Sequence, residues 1–209
     1  MKYLIGGIIV VVVCSISLNV FAEWQEPRFE IEETFRLSGD DDDNWMKNRL
    51  AAFFTFADDE GFDIVISPFV EFDYNTDLET MERTEWGAEF GSQILKYLYL
   101  GLGIQYVEQD YDWSKYRGWL PQVEYTTELE PRLLFEYPLL EIDGRQLIGF
   151  ILDEYTVDLR MMAGVRNEAV IGVQYPILDN LTAKVNWRHI DRIHDYDSET
   201  VEFGGIINF

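Results

Sequence analysis

From Pro27 onward the chain alternates apolar and polar side chains with a period of two, the signature of strands with one greasy face. Phe62, Ile64, Ile66, Pro68, Val70, Phe72 and Tyr74 share one parity, against Asp63, Val65, Ser67, Phe69, Glu71 and Asp73. Leu98 to Tyr106 and Val123 to Tyr137 repeat the pattern; in the second, Glu124, Glu128, Glu130, Arg132 and Glu136 oppose a continuous apolar face. Weaker runs lie at 27–37, with Glu33 out of step, and at 49–56, 85–91, 154–161, 168–175, 181–188 and 201–209. Hardly any 3.6-residue stripe is present. The spacing predicts ten strands, with eight or twelve as alternatives.

The links differ in length. Residues 38–44, 75–83, 109–121, 163–167 and 191–198 read as longer loops at one end; 58–61, the Ile94-Leu95 region, 139–145 and 176–180 read as turns at the other. That asymmetry and an even strand count fit an all-β, closed antiparallel transmembrane barrel. A water-soluble sandwich or lipocalin-like barrel alternates too, with its apolar face inside. Aromatic placement favours the membrane form: Trp24, Trp45, Tyr74, Trp86, Tyr106, Tyr137, Tyr155, Tyr175 and Trp187 sit near the ends of apolar faces, where interfacial girdles form. Pro68 and Pro131 lack an N–H and predict local bulges. A third is predicted near Asp153, where apolar parity switches from Ile148, Phe150 and Leu152 to Tyr155.

Met1-Lys2, the apolar run Tyr3 to Val13 and the small residues before Glu23 read as a secretory signal peptide, cleaved after Ala22. Residues 1–22 are then the signal and 23–209 the barrel. The run is short of the roughly 20 apolar residues of a spanning helix. Cys14, the single cysteine, leaves with it, so no disulfide or thiol chemistry is expected. Asp and Glu number 39 against 16 Lys and Arg, a formal charge of −23, which repels nucleic acid. With 47% apolar and 15% aromatic residues, the chain is not of the disordered class.

Residues Glu202-Phe-Gly-Gly-Ile-Ile-Asn-Phe209 resemble the C-terminal signature of Gram-negative outer-membrane proteins. The resemblance covers only these eight residues. It implies that Glu202, Gly204, Ile207 and Phe209 act as an assembly signal, that the barrel-assembly machinery is a partner during biogenesis, and that outer-membrane lipid and lipopolysaccharide surround the wall.

Such a barrel has a lumen slightly wider than the eight-stranded kind, which side chains just fill. Its expected wall is Arg28, Glu30, Glu32, Arg49, Glu71, Glu85, Glu89, Glu124, Glu128, Glu130, Arg132, Glu154, Asp158, Arg160, Lys184, Arg188 and Glu202. Acids outnumber bases, so ion pairing cannot be complete. Two roles follow, a structural lattice or a narrow, weakly cation-preferring pore. Asp40, Asp41, Asp42 and Asp43 could bind a divalent cation, although the loop lacks the EF-hand pattern and a solvated acidic loop is the plainer reading. Asp191 and His194, with Asp73 or Asp77 opposite, resemble the acid-and-histidine equipment of ten-stranded outer-membrane proteases, but not their motif spacing. A barrel-embedded enzyme acting on lipid or peptide is therefore one alternative, and a soluble periplasmic ligand-binding barrel another; Ser114 and Ser198 are nucleophile candidates by location. No cofactor motif is present.

Overall fold

The computed structural model describes residues 23–24, 26–38, 44–57, 63–77, 79–109, 125–192 and 197–209. A two-residue strand β1 (Glu23–Trp24) precedes β2 (Arg28–Ser38), β3 (Trp45–Ala57), β4 (Asp63–Asn75), β5 (Thr80–Leu95), β6 (Leu98–Gln109), β7 (Tyr125–Ile142), β8 (Arg145–Asp158), β9 (Ala163–Leu178), β10 (Leu181–Arg192) and β11 (Ser198–Asn208). Each of β2 to β11 pairs antiparallel with its neighbours in sequence. The ring closes where β11 meets β2, so the chain is a closed ten-stranded antiparallel barrel. The seam runs from Thr200↔Ser38 to Asn208↔Glu30, and the Phe209 N–H extends it with a 2.9 Å bond to the Phe29 carbonyl. Closure gives each of β2 to β11 two partners, the condition for placing strands in lipid, where water cannot satisfy a free edge.

The pleat sorts the side chains. Phe29, Ile31, Phe35 and Leu37 on β2, Leu100, Leu102 and Ile104 on β6, and Val201 and Phe203 on β11 are exposed on the outside. Glu71, Glu85, Glu89, Glu128, Glu154, Glu168, Arg188 and Glu202 are buried inside. Grease outside and charge within is the inverse of a water-soluble barrel, and such a wall calls for a lipid solvent. Trp86 stacks on Tyr106 at 4.7 Å, and Tyr106 stacks on Tyr125 at 6.2 Å, forming part of one aromatic band; Tyr97 and Tyr137, at 5.0 Å, belong to the other. Trp45 departs from the expected girdle: it is 8% exposed, on the inward parity shared by Lys47 and Arg49. Carboxylates also break the outer face: Glu33 and Asp153 along the strands, and Asp191 and Glu199 toward the outer ends of β10 and β11, all exposed.

Three turns at one end, which we call the inner end, have two residues each: 96–97, 143–144 and 179–180. Asp143 (φ 51) and Gly144 (φ 78) both lie in the left-handed region, as a two-residue hairpin that follows strand twist requires. At the outer end, residues 163–167 belong to β9, and the β8–β9 turn occupies 159–162, with Met162 at φ 51. Asp158 pins it by accepting the Arg160 and Met161 N–H groups at 2.8 and 3.1 Å.

The prolines produce no bulge. Pro68 pairs with Ala88 and Pro131 with Leu102 in unbroken register. Ladder pairs are missing on the other flank instead, between Ala51↔Phe69 and Phe54↔Ile66 and between Leu129↔Val157 and Arg132↔Glu154. A strand residue donates to one side only, so the missing N–H costs one bond and needs no inserted residue. Nor does β8 bulge at Asp153. Its register with β7 holds from Asp158 to Ile148, and the parity of buried Glu154 and Thr156 carries Leu152, Phe150 and Ile148 into the interior. Register shifts lie nearer the strand ends, at Asp73/Tyr74, Gln93/Leu95, Pro138/Leu140, Thr156/Val157 and Leu181/Thr182.

Candidate functional site: the charged lumen and its inner vestibule

Arg188 on β10 is the centre of the interior. Its Nε lies 2.8 Å from Glu202, and its Nη1 contacts Glu168 closely and Glu154 at 3.6 Å. Glu202 also binds Arg36 at 2.8 Å and accepts the Asn186 amide at 2.6 Å. Glu168 continues to Arg166 at 2.7 Å, and Arg166 to Glu130 at 3.5 Å. On the other side Glu154 meets Arg132, which reaches Glu89 at 2.7 Å; Glu89 meets Arg49 at 3.9 Å. Arg49 and Lys47 share Glu71, at 3.9 and 2.5 Å. Arg83 joins Glu85 and lies 2.9 Å from Glu128. These contacts follow the wall, joining residues on one strand or on strands one or two places apart, and neighbouring charges of opposite sign make their burial tolerable.

A cavity of about 40 Å³ lies at this level, between side chains that include Arg36, Lys47, Arg49, Glu71, Asp73, Glu85, Glu130, Arg132, Glu154, Arg166, Glu168 and Arg188. Acids and bases balance there. Tyr99 also faces the lumen, donating to Glu89 at 2.8 Å; its hydroxyl lies 1.9 Å from where a Cβ on Gly91 would stand, so a larger residue there would push the Tyr99 ring aside.

Below the lattice the lumen opens into a vestibule of about 450 Å³. One wall is apolar, from Leu134, Ile148, Phe150 and Leu152, with Ile206 and Pro176 also lining the space. Its charged groups are Arg28, Glu30, Arg132, Glu136 and Lys184. Phe150 is 5% exposed and lies against Gly172, where a Cβ would meet its ring at 2.6 Å. Lys184 pairs with Glu32 at 2.9 Å and places its ammonium 5.4 Å from the Phe150 ring centre.

Arg49, Glu71, Glu85, Glu89, Glu128, Glu130, Arg132, Glu154, Arg188 and Glu202 meet in the lattice, while Glu30, Glu32 and Lys184 sit lower. Arg28 is at the rim, its side chain 56% exposed, stacked on Phe53 at 4.4 Å and 3.7 Å from Glu30. Asp158 acts as a turn cap. Arg160 is not on the wall: it lies exposed in the β8–β9 turn because β8 ends at Asp158. Glu124, Asp40 to Asp43, Ser114 and His194 lie outside the described residues.

Lys47, Asp73, Arg83, Glu136, Arg166 and Glu168 are additional inward groups. Shared parity with Arg49, Glu71, Glu85 and Glu130 was the signal for most of them. Asp191 is exposed on the outer face of β10 whereas Asp73 is buried in the lumen, so this pair is split by the wall. Asp77 accepts the Asn44 N–H at 3.0 Å, and buried Ser198 accepts from Arg192 at 3.1 Å. Glu71, Asp73 and Glu85 bring carboxylate oxygens within 4.8 Å of one another, the closest grouping of metal-type ligands among the described residues. Lys47, Arg49 and Arg83 already stand against Glu71 and Glu85.

No family model and no curated protein matches the chain. Among solved structures it is similar to a KdgM porin (TM-score 0.46, 7% identity, 86% of this chain and 99% of that one). A NanC porin gives TM-score 0.44 at 12% identity over 86% and 98%, and a designed transmembrane β-barrel 0.36 at 8% over 90% and 100%. The fold assignment rests on the strand ladder itself.

Proposed function

We propose that this chain is an outer-membrane β-barrel protein whose lumen is a narrow, weakly cation-preferring path held almost shut by its ion-pair lattice. The observation that carries the reading is the pairing of an apolar exterior with a charged interior constricted to about 40 Å³. Preference for cations follows from the acids flanking the balanced constriction. Besides the groups that line the 40 Å³ cavity, Glu30, Glu32, Glu89, Glu128, Glu136, Asp158 and Glu202 face inward, against Arg28, Arg83, Lys184 and Arg192. Partners on this reading are lipid, lipopolysaccharide and, through Glu202, Gly204, Ile207 and Phe209, the assembly machinery. Export through a cleaved signal belongs to the same proposal.

The test is conductance in planar bilayers across a KCl gradient, with the barrel first shown to be folded by heat-modifiable gel migration. A small conductance with a reversal potential displaced toward K⁺ is expected, and Glu128→Gln with Glu130→Gln should reduce that displacement. A folded barrel that leaves the bilayer silent refutes the pore. The unbroken lattice from Lys47 to Arg36 would then favour a second reading, a purely structural barrel.

A further inference from the structure

Three consecutive inward positions of β8, Ile148, Phe150 and Leu152, are apolar in a lumen whose other zone is a lattice of charge. Nothing about a water-filled path needs them. With Leu134 they make one side of a pocket whose volume, about 450 Å³, is that of a small-molecule site. The lattice lies on its outer side, with Arg132 lining both spaces, and exposed Arg28 lines it at the inner end.

The charges around this pocket are mostly committed. Lys184 is held by Glu32 at 2.9 Å, Arg132 by Glu89 at 2.7 Å and by Glu154, and Arg28 lies 3.7 Å from Glu30. Glu136 differs: its carboxylate accepts a 2.7 Å bond from the neutral Gln174 amide and has no cation within ion-pair distance among the described residues. It is also the direct cross-strand partner of Phe150, so the carboxylate and the ring emerge side by side from one wall. An ammonium at Glu136 would gain a charge-assisted hydrogen bond beside the Phe150 ring, whose centre is 5.4 Å from the Lys184 ammonium.

We propose that the inner vestibule binds a small organic cation, an ammonium group on an apolar body, with the ammonium at Glu136 and the body against Leu134, Phe150 and Leu152. The pocket explains why β8 departs from the polar-inside rule. It requires no opening of the lattice and so stands whether or not the barrel conducts.

The experiment is isothermal titration calorimetry of the purified barrel in a non-ionic detergent, with phenethylammonium chloride as the probe and micelles alone as the blank. The comparison ligand is 3-phenylpropionate, of similar size and opposite charge. Saturable binding of one phenethylammonium per barrel is expected, with none for phenylpropionate. Glu136→Gln should weaken binding on the order of tenfold, the scale of one charge-assisted hydrogen bond. Phe150→Leu, which keeps the carboxylate and an apolar side chain, should weaken it a few-fold through loss of the ring. Glu79→Gln, in the outer β4–β5 turn, should leave it unchanged. Phenethylammonium heats equal to the micelle blank, equally strong binding of the anion, or unchanged affinity in both Glu136→Gln and Phe150→Leu would overturn the proposal.

Discussion

Replacing Arg188 by alanine removes the residue through which three acids are joined. Its side chain is 8% exposed, and its guanidinium touches Glu202, Glu168 and Glu154. Breaking a buried pair by deleting one partner costs about 3–5 kcal/mol, mostly from the charge left behind. None of these acids is left alone. Glu202 keeps Arg36 at 2.8 Å and the Asn186 amide at 2.6 Å, Glu168 keeps Arg166 at 2.7 Å, and Glu154 keeps Arg132. The loss therefore belongs at the low end, about 3 kcal/mol, or roughly two orders of magnitude in the folding constant. Arg28→Ala is the control, because its side chain is 56% exposed and only 3.7 Å from one acid. An exposed pair of that kind contributes about 0–1 kcal/mol. Urea unfolding of the barrel from phosphatidylcholine vesicles, followed by tryptophan emission, should separate the two variants by about 2–3 kcal/mol. Arg188→Ala combined with Glu202→Gln should lose less than the sum of the single changes, since they share one network. Equal midpoints for Arg188→Ala and Arg28→Ala, or strict additivity in the double variant, would refute the lattice as a source of stability.

Gly172→Ala would put a Cβ 2.5 Å from the Asn186 Cβ, 2.6 Å from Phe150 and 2.7 Å from the Val185 carbonyl. Such crowding should cost about 1–3 kcal/mol, read in the same urea assay. Gly144→Ala meets no atom within 4 Å but imposes a side chain at φ +78, so a loss of roughly 1 kcal/mol should appear with no change in the folded gel band. Asp153→Leu should stabilise the barrel in vesicles, because this exposed carboxylate lies mid-strand on the lipid side with a 3.4 Å bond to Asn167 as its offset. A lower urea midpoint for that variant would count against lipid at this position.

Alternation alone placed most of the wall, because a period of two commits every second residue to the same side. It faltered where strands outrun the apolar belt. Lys47, Arg83 and Arg166 lie on inward positions toward the outer ends of β3, β5 and β9, with little grease opposite; Arg83 and Arg166 read as loop, and Lys47 fell between the loop 38–44 and the strand 49–56. The parity of Arg83 with Glu85 and of Arg166 with Glu168 was already visible in the sequence. Asp143-Gly144, a strong hairpin signal, lay within the longer 139–145 turn. The inner half of β8 failed for a different reason. A binary pattern cannot distinguish an apolar residue lining an internal pocket from one facing lipid, so Ile148, Phe150 and Leu152 suggested a parity switch. Following Glu154, Thr156 and Asp158 backward through an unbroken register resolves it.

The two zones of the lumen meet at Arg132, which lines both the 40 Å³ constriction and the 450 Å³ vestibule. Its Nη1 bonds Glu89 on β5 at 2.7 Å and its Nε bonds Glu154 on β8 at 2.5 Å, so this β7 side chain ties together strands two and one places away. Arg36 does the same at the closing seam through Glu202, and Arg188 links β8, β9 and β11. Internal cross-linking of this kind reinforces a ring that backbone bonds already close. On the proposed pore and the proposed vestibule site the two act at different places: a solute passing the constriction meets Arg132 and its acids, whereas a cation resting on Glu136 meets neither Glu89 nor Glu154. Arg132→Gln should therefore raise conductance while leaving phenethylammonium binding nearly intact, and Glu136→Gln should do the reverse.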